Sequence, residues 1–289
     1  MSTSLNGRTK LVGVMGWPVE HSLSPQMHNA AFAALGLNCC YVPLAVPPDH
    51  LPQAVAGLAA LGFVGSNVTV PHKQAVWACV DELSEDAQAV SAVNTLIRRD
   101  GKWVGGNSDI PGFLMSLEEE GFLPRGKRAL VLGAGGAARG IVYALARAGA
   151  QVTLLNRTVE RGEALVREIS RLLPGRSLEA RALLPEELGK ARDDAELLVN
   201  TTPLGMWPRV EASPWPDDLP FPAHLTVFDL VYNPLRTRLL SQAQAAGAKA
   251  IGGLKMLVYQ GAISFRWWFD VMPPTDVMYR ACVDEMARR

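Results

Sequence analysis

The chain has 289 residues, 48% of them hydrophobic and 19% charged, and its 28 Lys+Arg balance 28 Asp+Glu. That balance leaves no electrostatic footprint for nucleic acid or for an anionic membrane, and the length suits two domains of ordinary size. No apolar stretch approaches the ~18 residues of a spanning helix and no signal-peptide h-region stands at the N-terminus, so a cytoplasmic protein that works on small molecules is expected.

In chain order, residues 11–16 (LVGVMG) predict an apolar, glycine-bounded strand. Residues 24–37 predict a helix with Ser24 as its N-cap, Pro25 in its first turn and Met27, Ala31, Ala34 and Leu35 on its apolar face. A strand over 39–46, a proline-started helix closed by Gly62, a strand over 63–70 and a helix over 74–83 follow, then a hairpin within 92–107 turned at Asp100 and Gly101. Residues 128–158 switch to strand, glycine turn, alanine-rich helix and strand, the pattern of a parallel βαβ unit. ELLVNTTP, LTVFDLVY and AKAIGG add strands that read as continuous apolar runs, as buried parallel strands do. A long helix after Gly253 and a shorter one end the chain, and the proline-rich stretch 208–222 reads as a surface loop. The expected architecture is α/β in two domains. Residues 1–109, completed by helices within 253–289, form an N-terminal α/β substrate lobe, and 110–252 form a Rossmann-type doubly wound domain.

Gly133, Ala134, Gly135, Gly136 and Ala137 fit the GxGxxG/A fingerprint between a strand and a helix. There, glycines permit a tight turn and backbone amides at a helix N-terminus meet a pyrophosphate. An NAD enzyme would carry Asp or Glu at the end of the next strand to bind ribose hydroxyls. Asn156 stands there instead, followed by Arg157, Thr158 and Arg161. An arginine fork and a threonine hydroxyl suit a 2′-phosphate, so NADP is the expected cofactor. Hydride transfer to a ketone also needs a proton carrier at the oxygen. Lys73 and Asp109, each just beyond a strand, are the candidate pair, although taken singly they read more readily as a surface lysine and a helix-capping aspartate. Ser22 and Ser24 can offer hydroxyls to a carboxylate, and Asn67, Thr69 and Asn94 are polar residues in apolar surroundings that need partners from a ligand or from an internal network. Cys39, Cys40, Cys79 and Cys282 have no CxxC spacing and the five histidines form no HExxH pair, so buried free thiols are expected, with no metal.

The motifs HSLSP (21–25), NVTVPHK (67–73), AVNT (92–95), GNSD (106–109), GAGGA (133–137), NRT (156–158), NTTPLGM (200–206) and GGLKMLVYQ (252–260) together resemble the shikimate dehydrogenase family over nearly the whole chain. The resemblance implies reversible NADPH-dependent reduction of 3-dehydroshikimate to shikimate, on the route to chorismate and aromatic amino acids. It implies Lys73 and Asp109 at the reacting oxygen, Ser22 and Ser24 on the carboxylate, and Asn67, Thr69, Asn94, Tyr232 and Gln260 around the ring. On the cofactor side it implies the 133–137 loop at the pyrophosphate, Asn156 to Arg161 at the adenosine phosphate, Leu230 and Gly253 near the nicotinamide, and an acidic position matched by Glu85. Ser91 stands where the family has a glycine, and Ser108 where it has a threonine. Two other readings share these motifs: an NAD-preferring quinate/shikimate dehydrogenase, which would carry an acid where NRTVER has none before Glu160, and a catalytically silent NADP-binding regulator, which would not require the Lys73 and Asp109 pair. A homodimer is one assembly the sequence allows.

Overall fold

A computed structural model describes residues 5–289. By its contacts the chain divides into two units. One runs to Gly112 and resumes with Val258–Arg289, and the other is Phe113–Leu257.

The first unit opens with strand β1 (Lys10–Gly16), helix α1 (Ser24–Leu35), strand β2 (Cys39–Ala45), helix α2 (Leu51–Ala60) and strand β3 (Gly65–Val68). Strand β4 (Glu82–Leu83), helix α3 (Glu85–Val90), strands β5 (Thr95–Arg99) and β6 (Lys102–Gly106), and helix α4 (Asp109–Glu119) follow. The sheet order is β2-β1-β3-β5-β6-β4. β1 pairs in parallel with both β2 and β3, whereas β5 is antiparallel to β3 and to β6. Asp100 (φ 48°) and Gly101 (φ 77°) turn the β5–β6 hairpin with two left-handed residues, as a two-residue hairpin needs. Met15, Val55, Phe63, Val68, Val76, Leu96 and Trp103 fill the core on one side of this sheet, and burial of each large apolar side chain stabilises by about 1.5–3 kcal/mol.

The second unit contains strand β7 (Arg128–Leu132), helix α5 (Gly136–Arg147), strand β8 (Gln151–Asn156), helix α6 (Val159–Leu172), strand β9 (Leu178–Ala182) and helix α7 (Pro185–Arg192). It continues through strands β10 (Leu197–Asn200) and β11 (Thr226–Asp229), helix α8 (Arg238–Ala245) and strand β12 (Lys249–Gly252). All six strands are parallel, in the order β12-β11-β10-β7-β8-β9. From β7 the chain builds outward one way and then, from β10, the other, so a topological switch point lies at the C-terminal ends of β7 and β10. β10 is buried at all four positions, which explains its unbroken apolar reading. Helices α9 (Leu254–Phe269) and α10 (Thr275–Arg288) end the chain.

Several expected elements differ. The helix expected over 74–83 is a 3-10 stretch, Ala75–Cys79, followed by β4. Asp81 and Ser84 donate their N–H groups to Trp103 O and Gly105 O, so pairing with β6 outweighs the local helical pattern of this segment. The strand over 63–70 spans only Gly65–Val68. Leu23, not Ser24, occupies the cap of α1, and Ser24 is its first helical residue. The buried face of that helix carries Met27, His28, Ala31 and Phe32, while Leu35 is exposed. The 208–222 stretch is anchored by Trp215, which is 2% exposed, donates to Leu219 O and stacks near Phe221. Among the described residues no helix is long and apolar enough to cross a membrane.

Candidate active site

In the first unit, Lys73 lies in the turn after β3 and Asp109 opens α4 just beyond β6. Lys73 Nζ donates to Asp109 Oδ2 at 2.7 Å. Both side chains keep about a third of their surface, 34% and 27%, so the pair is open to a ligand. Backbone bonds set it in place: Val93 N–H donates to Lys73 O at 2.8 Å, and Asp109 N–H donates to the Asn107 side chain at 3.1 Å. The glycine after Asp109 serves helix packing rather than the sharp turn its sequence position suggests. A Cβ on Gly112 would stand 2.6 Å from Gln260 N, so only glycine lets α4 approach α9 there.

Beside the pair is a buried polar network. The Tyr41 hydroxyl donates to Asn67 Oδ1 at 2.8 Å, and Asn67 Nδ2 lies within hydrogen-bond distance of Asn94 O, Thr95 Oγ1 and Ser264 Oγ. Thr95, Ser108 and Ser264, none of them exposed, form a triangle of hydroxyls with edges of 2.8 to 3.2 Å. Ser108 reaches Gln260 Oε1 at 3.3 Å, so the triangle touches Asn67, Asn94 and Gln260 together. Asn94 is the informative member. Its Oδ1 accepts Ser108 N–H at 2.7 Å and the Thr95 hydroxyl at 3.0 Å, which fixes the oxygen end of the amide inward. Asn94 Nδ2 is then buried with no hydrogen-bond partner among the described residues. A buried, unpaired donor is costly unless something accepts from it, and a ligand hydroxyl or carbonyl would.

Asn67 is 5% exposed and its amide is engaged from both ends, so it braces this network from within. Thr69 lies one residue past β3, outside the alternation that would have aligned it with Asn67, and its N–H donates to Met15 O. Ser22 Oγ accepts Ser24 N–H at 3.2 Å, and the buried Ser24 hydroxyl is not spent on capping α1. Glu85 is exposed in the first turn of α3, where the helix dipole favours an acid irrespective of any ligand. Among the described residues no three His, Cys, Asp or Glu side chains gather as metal ligands. All four cysteines are free, Cys39 and Cys282 buried, and burial pushes the Cys282 thiol up to about 12.

In the second unit, Gly133 turns the chain out of β7 at φ 101° and Gly135 caps α5. A Cβ on Gly133 would stand 2.9 Å from Thr201 Oγ1 and 3.0 Å from Thr202 Cγ2. A Cβ on Gly135 or Gly136 would meet nothing within 4 Å, and no side chain caps the start of α5. Asn156 ends β8 and its Nδ2 donates to Thr158 O at 2.7 Å, closing a small turn. Thr158 caps α6 without using its hydroxyl, and Arg157 and Arg161 are exposed. Arg157, Thr158 and Arg161 thus stand at or beside the N-terminus of α6, surroundings that suit an anion. Leu230 follows β11 with its N–H on Asn200 O, Tyr232 lies two residues on, and Gly253 packs so tightly on Leu230 that a Cβ would stand 2.2 Å from its carbonyl oxygen. The sequence did not mark Asp229, which has no exposed surface. Its only signal was its place as the last, charged residue of an apolar parallel strand.

Three family models match parts of the chain. The family model described as the shikimate dehydrogenase substrate binding domain matches residues 14–96. The model for shikimate / quinate 5-dehydrogenase matches 119–192, and that for the shikimate 5′-dehydrogenase C-terminal domain matches 253–282. The shikimate dehydrogenase (NADP(+)) of Methanopyrus kandleri is 46% identical, over 99% of this chain and 99% of its own. That of Moorella thermoacetica is 49% identical, over 96% and 94%. The crystal structure of the Thermus thermophilus shikimate 5-dehydrogenase in complex with NADP(H) and shikimate superposes with a TM-score of 0.86 at 41% identity, covering 96% of this chain and 99% of that one.

Proposed function

The chain belongs to the shikimate dehydrogenase family, and from that premise we propose that it interconverts shikimate and 3-dehydroshikimate with NADP(H), in the cytosol, as a monomer or a homodimer. Its substrate is a small polyhydroxylated acid, with neither nucleic acid nor membrane as partner. The observation that carries the reading is the 2.7 Å Lys73–Asp109 pair, set beside an amide network in which the buried donor Asn94 Nδ2 awaits an oxygen.

The residues present fit NADP. Gly133 to Ala137 and the α5 N-terminus would take the pyrophosphate, and Asn156, Arg157, Thr158 and Arg161 the 2′-phosphate. When bound, the nicotinamide supplies or receives the hydride at the carbinol carbon. Lys73 Nζ holds a proton for the ring oxygen on reduction and takes part in removing it on oxidation. Asp109, hydrogen-bonded to that nitrogen, fixes the ammonium and shares the proton. Asn94 donates to a ring hydroxyl, while Asn67 and Gln260 are held against the hydroxyl triangle that orients it. The family resemblance assigns Thr69 and Tyr232 to the ring, Ser22 and Ser24 to its carboxylate, Leu230 and Gly253 to the nicotinamide, and Glu85 to the cofactor side. Lys73→Ala is expected to lower kcat by about a hundredfold or more, the usual weight of a general acid, with a much smaller change in shikimate affinity measured by titration. A variant that turns over at a near-normal rate would remove Lys73 from this role.

A further inference from the structure

Asp229 closes β11 with no exposed surface, and three donors converge on its carboxylate. Asn200 Nδ2 donates to Oδ1 at 2.9 Å, Val231 N–H to the same oxygen at 3.1 Å, and Thr237 Oγ1 to Oδ2 at 2.6 Å. Each donor comes from a different segment. Asn200 ends β10, and its Oδ1 accepts both Thr202 N–H at 3.0 Å and the Thr202 hydroxyl at 2.7 Å. Val231 lies in the loop that carries Leu230. Thr237 is the N-cap of α8, where its Oγ1 accepts Leu240 N–H. Further bonds close the assembly: Leu230 N–H donates to Asn200 O and Gly253 N–H to Val231 O. Thr201 and Thr202 occupy the space a Cβ on Gly133 would need. One carboxylate therefore stands where the loops after β10 and β11, the turn after β12 and the start of α8 meet.

The sheet order says what those loops serve. Arg157 follows β8 on one side of β7, and β10 and β11 lie on the other. A dinucleotide with its pyrophosphate at the turn after β7 and its adenosine phosphate at the end of β8 extends its second nucleoside over the C-terminal ends of β10 and β11. Building on the NADP reading above, we propose that Asp229 is a positioning residue for the nicotinamide half of the cofactor. Its carboxylate locks the loops at 201–202 and 230–231 into the one arrangement that half can lie against. The Asp229 side chain itself touches no reacting atom, and the adenosine end of the site is independent of it.

The test compares NADP+ with adenosine 2′,5′-bisphosphate, which carries the 2′-phosphate and lacks the nicotinamide half, by calorimetric titration of the full chain. Asp229→Asn presents an N–H where donors now converge, and it is expected to weaken NADP+ about tenfold or more while the bisphosphate stays within about twofold, the loss of a hydrogen bond to a charged group. Arg157→Ala is expected to weaken both nucleotides. Thr237→Val is expected to follow Asp229→Asn, and Thr237→Ser to restore wild-type affinity. Should Asp229→Asn fail to fold, the Thr237→Val and Thr237→Ser pair decides on the same criterion. Equal loss of both nucleotides, or loss of neither, overturns the proposal and leaves the NADP reading standing. A wild-type chain that binds neither nucleotide overturns the NADP reading and this proposal with it.

Discussion

His28 has no exposed surface, and neither ring nitrogen has a hydrogen-bond partner among the described residues. The imidazole stacks flat on Tyr41 at 4.3 Å and lies against Trp268 and Phe265. Burial holds it far below its ordinary value of 6.5, at about 3. The unfolded chain takes up this proton below pH 6.5 and the folded chain does not until about pH 3. Stability is therefore complete above 6.5 and declines as the pH falls through that value, by up to about 1.4 kcal/mol per unit. Urea unfolding at pH 7.5 and 5.5 is expected to show a loss for the wild type that is about 1 kcal/mol larger than for His28→Phe. Equal losses would mean that the imidazole takes up its proton in the fold as readily as in the unfolded chain. The ring also supports the buried polar network, because the Tyr41 it stacks on donates to Asn67. At this scale the sequence showed charged residues at strand ends and polar residues in apolar surroundings. Lys73 and Asp109 stood out as charged residues at strand ends, and the 2.7 Å contact between them fits that reading. Ser264 gave no signal, because its partner Asn67 is 197 positions away and a serine in an apolar helix reads as filler until the fold brings hydroxyls together.

Ser91 shows how an element's end can carry a cost. It closes α3 in the left-handed region, at φ 51° and ψ 38°, the conformation in which glycine has no Cβ to strain. Its N–H still donates to Gln88 O, so the turn forms despite the wrong residue. Ser91→Gly is expected to raise stability by about 0.5–1 kcal/mol, since the left-handed penalty exceeds the extra unfolded-state freedom of glycine. A calorimetric scan should show the melting temperature rising by roughly 1–3 °C. A fall would mean that the serine side chain makes up for the strain. Sequence patterns were most readable for elements whose stability is local or whose burial is complete. The β7–α5–β8 unit and the hairpin at Asp100 and Gly101 have turn residues that only one backbone shape accepts. Misreadings fell where tertiary pairing outweighs propensity. Residues 74–83 look helical by composition and become a 3-10 turn and an edge strand because β6 offers free carbonyls. Gly112 is a packing notch, and nothing in its local sequence tells that from a turn.

At the scale of the chain, the first unit is discontinuous, and the polypeptide passes between units within α4 and again within α9. In the proposed reading each unit carries a different share of the chemistry. The first holds the Lys73–Asp109 pair and the buried amides, and the second holds the glycine turn and the exposed arginines beyond β8. Neither share alone specifies the reaction. A Rossmann sheet serves many activities, and a lysine–aspartate pair serves more. Their occurrence in one chain, with full-length relatives at 46% and 49% identity, narrows the reading to one family. What composition alone conveyed at this scale was exclusion: balanced charge argued for small-molecule chemistry, while the pairing of the two units' roles came from motif order and resemblance. The most direct test is a steady-state comparison of the purified chain with shikimate and with quinate, each with NADP+ and with NAD+. The account expects kcat/KM for shikimate with NADP+ to exceed each of the other three combinations by about a hundredfold or more, the scale of discrimination available to a site built on hydrogen bonds and charge. Absence of NADP+ reduction by shikimate, or faster turnover of quinate with NAD+, would contradict it.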